Sequence, residues 1–334
     1  MDDQPSFLSS YLTPLVPLIL RDDVVEIAIN PDGAVWIERR GAVYMERLSH
    51  LQIDRSLSVN LGQAIASAVG VQFSDRKPTV SGKITWEEFA LRAQVIAVPV
   101  VEGGMAMTLR PFKLARDQLI EPKLLHDGLV DLDKRKKERA TEVVKLAGQG
   151  KISEAMVLCI EDRMNILISG GTSTGKTSFA RFLLSLIDAN ERILTIEDAY
   201  ELFPGQANSI ALKADRKSQG ERTPARLLEA CLRMRPDRII LGEIRGEESR
   251  TFLEAINTGH GGSFTTIHAD SARKAIDRLA IMVMASGLGM GFEEVKRYCA
   301  GSIDVVVQLS RQGGVRGVAE IGLPWADFDQ CQPQ

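Results

Sequence analysis

The chain has 334 residues, 44% of them hydrophobic and 25% charged, with a formal net charge of −3. This balance is that of a soluble globular protein of about two domains, and it excludes fibrous and disordered classes. Mild acidity and 5% aromatic residues argue against a dedicated nucleic-acid surface with stacking platforms, so no direct nucleic-acid binding is expected.

The four cysteines, Cys159, Cys231, Cys299 and Cys331, are scattered and form no CxxC pair. That speaks for a reducing compartment and against a disulfide framework or zinc site. No basic segment precedes the first apolar stretch, Tyr11 to Leu20, which is too short to cross a bilayer and contains Pro14 and Pro17. The expectation is a cytoplasmic protein that meets a membrane through partners.

Val24 to Asn30 reads as a strand ended by the turn signal Pro31-Asp32-Gly33, and Ala34 to Glu38 as the returning strand. Leu57, Leu61, Ile65 and Val69 recur every four residues and predict a helix. Phe89 to Val98 and Gly104 to Arg110 read as strands. Residues 1–112 are therefore expected to form a small α+β domain. Residues 113–150 read as a flexible linker, punctuated by Pro122 and carrying a charged helical run from Asp131 to Lys145. In that run Asp131, Asp133, Glu138 and Glu142 interrupt the basic residues, which favours a solvated helix over a nucleic-acid arm. Residues 151–334 have α/β texture. Strands are predicted at Asn165 to Ser169, Arg192 to Glu197, Arg238 to Leu241, Gly262 to Thr266 and Ile303 to Leu309, with helical stretches between several of them, as a mostly parallel sheet requires.

Four stretches in this part carry chemistry. In "NILISGGTSTGKTSFARFLL" the segment Gly170, Gly171, Thr172, Ser173, Thr174, Gly175, Lys176, Thr177 follows an apolar strand and opens a helix. This is the phosphate-binding loop in its required context. Glycines bring backbone N–H groups towards phosphate oxygens, Lys176 adds a point charge for the β- and γ-phosphates, and the Thr177 hydroxyl can hold Mg²⁺. ATP and Mg²⁺ are the implied ligands. "ILTIEDAYEL" ends a strand in Glu197-Asp198 at the edge where ligands bind in such sheets, so Glu197 is a candidate for the metal or the water. Neighbouring residues on a strand point opposite ways, and Glu201 reads as part of the adjoining turn. In "LRMRPDRIILGEIRG" Gly242 stands where a metal-binding aspartate is usual, so Glu243 must orient water, bind the metal's water shell, or both. Arg245 next to it suits a phosphate contact or a structural ion pair equally. In "TGHGGSFTTIH" His260 and His268 flank a short strand, and a histidine at a strand end can donate to a γ-phosphate. The polar run from Ala211 to Thr223 reads as an exposed excursion.

In this order the four motifs resemble the secretion ATPases of bacterial type IV secretion and conjugation, the TrbB-like family. The resemblance is clearest from Ile160 to Leu309 and extends to "EIAINPDGAVWIERRG" and "MAMTLRPF". It implies a RecA-like ATPase domain preceded by a smaller N-terminal domain and a linker. It also implies a homohexameric ring at the cytoplasmic face of the inner membrane, with inner-membrane components of a secretion system as partners. Hydrolysis would move the N-terminal domains, with Pro111 to Gly150 as the hinge region, and so drive pilus assembly and substrate transfer. By motif, Lys176 and Thr177 are the phosphate and Mg²⁺ residues. Glu197 belongs to the acidic box, Glu243 to the degenerate second nucleotide motif, and His268 to the histidine box. Arg110 in "TLRPF" is similar to the arginine of the N-terminal domain that closes over the phosphates.

Type II secretion and type IV pilus motors share the motif order. The former usually carry a late tetracysteine element and the latter a distinctive helix after the histidine box, and this chain has "GLGMGFEEVKRYCAGSIDVVVQL" there. A non-hydrolysing ATP-gated scaffold would lack Glu243 or Glu197, and both are present. A strand-translocating helicase is disfavoured by the acidic total and the scarcity of aromatics.

Overall fold

The computed structural model describes residues 7–112, 122–125, 128–218, 220–287 and 289–329. In chain order its strands are β1 (Val24–Ile29), β2 (Ala34–Arg39), β3 (Glu46–Gln52), β4 (Thr79–Trp86), β5 (Phe89–Ile96), β6 (Ala106–Phe112), β7 (Ile166–Gly170), β8 (Ile193–Glu197), β9 (Ser209–Lys213), β10 (Arg238–Leu241), β11 (Phe264–Ile267), β12 (Val305–Gln312) and β13 (Val315–Gly322). The fold is mixed α/β, as expected. No helix among the described residues is long and apolar enough to cross a membrane.

The described residues fall into two compact units. The first takes in those of Met1–Gln118, with Ala189–Tyr200 and Gln206–Asp237. It contains an antiparallel sheet of order β3-β2-β1-β6-β5-β4. The helix Arg55–Val69 starts where the Asp54 side chain accepts from Leu57 N–H and stops at Gly70 in the left-handed region (φ 76°). The carboxylate cap contributes on the order of 1 kcal/mol. The helix buries Leu61, Ile65 and Ala66 against β-strand residues such as Ile29, Val95 and Met107. In the same unit β8 and β9 pair in parallel, and Lys213 N–H donates to Val100 O at 2.7 Å. Ala211 to Lys213 are therefore strand, not part of a polar excursion. Their side chains alternate between buried and exposed, a pattern too short to stand out in five residues.

A buried polar cluster ties this unit together. Arg192 is fully buried, and burial pushes its guanidinium down to about 10. It donates to Asn30 Oδ1 (2.8 Å), to Met234 O (3.0 Å) and to Asn208 Oδ1. Arg235 bridges Glu38 at 3.0 Å and Asp237 at 2.6 Å.

The second unit takes in the described residues of Leu119–Asp188, Glu201–Gly205 and Arg238–Gln334. Its strands run in the order β13-β12-β7-β11-β10. All but β13 are parallel to their neighbours, and β13 returns antiparallel on β12. β7, β10 and β11 are buried along their whole length, which is why they read as continuous apolar or small-residue runs. Parallel strands align their carboxyl ends, so the segments after Gly170, Leu241 and Ile267 emerge on one edge.

The charged run expected to be helical forms the helix Leu132–Gly148, with Asp131 accepting from Lys134 N–H. Residues 113–121 and 126–127 of the expected linker lie outside the described residues.

Candidate nucleotide site

In the second unit β7 ends at Gly170 and the helix Lys176–Leu186 begins after Gly175. The connection is tight enough to need special backbone. Gly175 sits at φ 95° and Ser173 at φ 60°. At Gly170 an added Cβ would overlap the Thr174 hydroxyl and press to 3.0 Å on Leu309 O. Thr174 Oγ1 donates to Gly171 O at 3.0 Å, which closes the loop on itself. The helix has no side-chain cap, so its first-turn N–H groups face the loop's hollow. A hollow with small residues, turned-in amides and one ammonium is chemically suited to an anion.

Lys176 Nζ donates back to Gly170 O (2.9 Å) and Gly171 O (3.0 Å). It also lies 3.4 Å from both ring nitrogens of His268. Burial pushes the ammonium down, with Arg245 acting the same way and Glu243 opposing. His268 is likewise held below its ordinary value, first by burial and then by Lys176, with Glu243 opposing. Both effects favour the neutral ring. Its Nε2 lies 3.1 Å from Glu243 Oε1, so Nε2–H donates to the carboxylate and Nδ1 is left as an acceptor towards Lys176.

Glu243 is fixed by its backbone. Thr266 Oγ1 donates to Gly242 O (2.8 Å) and Ile244 N–H donates to Thr266 O (2.9 Å), which locks the segment after β10 to β11. The buried Glu248 carboxylate accepts from Arg245 N–H (2.7 Å) and Gly246 N–H (3.2 Å) and completes the turn. Arg245 itself pairs with Glu243 Oε2 at 2.6 Å.

Lys176, His268, Glu243 and Arg245 thus form one contiguous chain beside the loop. His260 precedes β11 and His268 follows it, so the two histidines lie at opposite ends of that strand. The loop residues Gly171, Thr172 and Ser173 lie between β7 and the helix, and Thr177 sits in the helix's first turn. Thr177 Oγ1 donates to Glu201 Oε2 at 3.2 Å. Arg181 Nε donates to Glu201 O, and its guanidinium covers the Phe203 ring at 5.3 Å. The Thr177–Glu201 contact was not legible in the sequence. Its only trace is a third carboxylate four residues after Glu197. A hydroxyl and a carboxylate side by side make a hard-oxygen donor set that fits Mg²⁺.

Glu197 and Arg110 belong to the first unit. Glu197 is 5% exposed at the end of β8, and its Oε1 accepts from Thr195 Oγ1 at 3.0 Å. Its neighbour Asp198 points outward and pairs with Arg216 at 2.8 Å, as the strand alternation requires. Arg110, in β6, is more than half exposed, with Nε 4.0 Å from Glu26 Oε2. Burial raises the Glu26 carboxyl to about 7.

The sequence profile of the family described as "Type II/IV secretion system protein" matches residues 134–314. The type IV secretion system protein VirB11 of Brucella suis is 30% identical over 330 residues, 95% of this chain and 89% of that protein. The conjugal transfer protein TrbB of Rhizobium radiobacter is 31% identical over 301 residues, 89% of this chain and 83% of that one. The crystal structure of the Brucella suis VirB11 ATPase in complex with sulphate superposes with a TM-score of 0.80 at 28% identity, covering 95% of this chain and 97% of that chain. Since the profile spans more than half of the chain and relatives align along nearly all of it, this chain belongs to the type II/IV secretion system protein family, among its VirB11- and TrbB-like members.

Proposed function

We propose that this chain is a Mg²⁺-dependent ATPase that works as a homohexameric ring at the cytoplasmic face of the inner membrane. There it powers substrate transfer and pilus assembly in a type IV secretion or conjugation system. The observation that carries the enzymatic reading is the contact chain from Lys176 through His268 to Glu243 beside the phosphate loop. The assembly, the partners and the membrane face rest on family membership.

In this reading the amides of Gly171 to Thr177 and the Lys176 ammonium bind the β- and γ-phosphates. Lys176 exchanges its carbonyl contacts at Gly170 and Gly171 for phosphate oxygens. Thr177 and Glu201 hold Mg²⁺, which when bound neutralises charge on the β- and γ-oxygens. Glu243 orients a water whose oxygen attacks the γ-phosphorus as the bond to the β-bridging oxygen breaks, releasing ADP and phosphate. His268 keeps the Glu243 carboxylate aimed and senses the γ-phosphate next to Lys176. The roles of Glu197 in placing metal or water, and of Arg110 at the phosphates, rest on their motifs. So does the division into an N-terminal domain of residues 1–112, a hinge of 113–150 and an ATPase domain of 151–334.

The test is phosphate release from Mg²⁺-ATP across protein concentrations, beside Lys176→Ala. The expected result is turnover per subunit that rises with concentration and is abolished by the substitution. Tight ATP binding with no turnover, alone or with membranes of the host system, would replace the motor by a nucleotide-gated scaffold.

A further inference from the structure

β12 pairs with β7 up to Leu309 opposite Gly170, where β7 ends. The hairpin does not end there. Residues from Ser310 through Gly317 continue past that edge, the side on which the phosphate loop lies. Its turn is Gly313-Gly314, with φ of 58° and 88°, between the paired residues Gln312 and Val315. Two successive positive φ values in a two-residue loop suit the right-handed twist of the strands and fix their register.

That register sets Arg311 directly opposite Arg316. Residues directly opposite in an antiparallel pair share a face, and like charges so placed repel. The face is the one turned to the loop, since a Cβ added to Gly175 would lie 3.7 Å from Arg316 Cδ. Among the described residues neither guanidinium has a hydrogen bond or ion pair. By contrast, Arg245 and Arg181, near the same loop, are both satisfied by Glu243 and Glu201. Cations on an edge strand hinder edge-to-edge pairing, and that would account for Arg316 on β13. It does not account for Arg311, which stands on the inner strand β12.

We propose that Arg311 and Arg316 form a two-guanidinium clamp, held by the β12–β13 hairpin, that grips the phosphate chain of the nucleotide from the side opposite the Glu243–His268 pair. The clamp rests on reading Gly170–Thr177 as a nucleotide site. It assigns the repulsion between the two arginines a purpose, because a polyphosphate between them turns two opposed cations into two charge-assisted contacts.

The experiment uses the full chain at physiological salt. Binding of ATP and of inorganic tripolyphosphate is measured by calorimetry for wild type, Arg311→Ala, Arg316→Ala and Arg316→Lys, and melting is followed without ligand. Each alanine variant should weaken both ligands about tenfold, the usual effect of losing one charge-assisted contact. Arg316→Lys should recover part of that loss, since it restores charge but not the fork. Without ligand the alanine variants should melt no lower than wild type, because a repulsion has been removed. Unchanged affinity for both ligands in a wild-type background that binds them would overturn the clamp and leave the nucleotide site standing. Weakened ATP with unchanged tripolyphosphate would also overturn it, moving the contact to sugar or base. A wild type that binds neither ligand would bring down the nucleotide reading and the clamp together.

Discussion

His268 Nε2 and Glu243 Oε1 are 3.1 Å apart, and both nitrogens of the same ring lie 3.4 Å from Lys176 Nζ. The carboxylate is mostly buried and its backbone is tied to Thr266, so the pair is built before any ligand arrives. Glu243→Gln keeps the shape and removes the charge that aims the water. We expect phosphate release to fall by roughly two to four orders of magnitude, with ATP affinity changed only severalfold. Single-turnover release and equilibrium binding measure the two separately. Full turnover in the variant would move the water to another carboxylate, Glu197 first.

The same pair sets a pH dependence. His268 is held below 6.5 by burial and by Lys176. The unfolded chain therefore takes up this proton at a higher pH than the folded one. The His268 contribution to stability is undiminished above about 6.5 and declines as pH falls from there towards the folded value. Lys176→Met should raise the His268 pKa, read from its ring proton shifts by NMR. An unmoved titration would mean that the ammonium and the ring do not interact in solution.

Glu201 accepts from Thr177 at 3.2 Å, and the two oxygens together define the proposed Mg²⁺ position. Glu201→Gln should raise the Mg²⁺ concentration for half-maximal phosphate release several-fold, with less effect at saturating Mg²⁺. Thr177→Ala should do so more strongly. A Mg²⁺ titration that is superimposable on wild type for both variants would remove these residues from the metal site.

How far the sequence disclosed this arrangement depends on where each strand lies. β7 and β10 are buried on both faces, so composition alone marks them, and β11 is marked by its flanking motif. β3 and β13 are largely exposed sheet-edge strands whose charged residues read as loop. Glu243 and His268 were legible because each closely follows a strand, and Lys176 because its glycine-rich loop motif joins a strand to a helix. The Thr177–Glu201 contact was not, since it joins residues through a loop of irregular backbone. Nor was the Arg311–Arg316 opposition, which exists only once the register of a hairpin is known.

Glu26 offers a test in the first unit. Burial raises its carboxyl to about 7; Arg110 at 4.0 Å, Arg192 and Arg235 oppose this and Glu38 reinforces it. A raised carboxyl gives stability that is fully present below about 4.5 and is lost as pH rises through 7. Glu26→Gln should flatten the fall in melting temperature between about pH 5 and pH 8. A slope equal to wild type would show that the carboxyl titrates normally in solution.

The buried Arg192 cluster has a consequence for how this protein can be divided. Arg192 and Asn208 belong to a stretch that follows the phosphate loop in the chain, yet Asn30, their hydrogen-bond partner, precedes it by more than a hundred residues. Arg235 depends in the same way on Glu38. A fragment beginning at residue 151 would retain every loop residue, but Arg192 would lose Asn30 and Arg235 would lose Glu38, leaving each buried cation one acceptor short. Gene fusion, proteolytic trimming or recombination between relatives that parts Asn30 and Glu38 from Arg192 and Arg235 would therefore lose these contacts, so the stretches on either side of the phosphate loop are best inherited together.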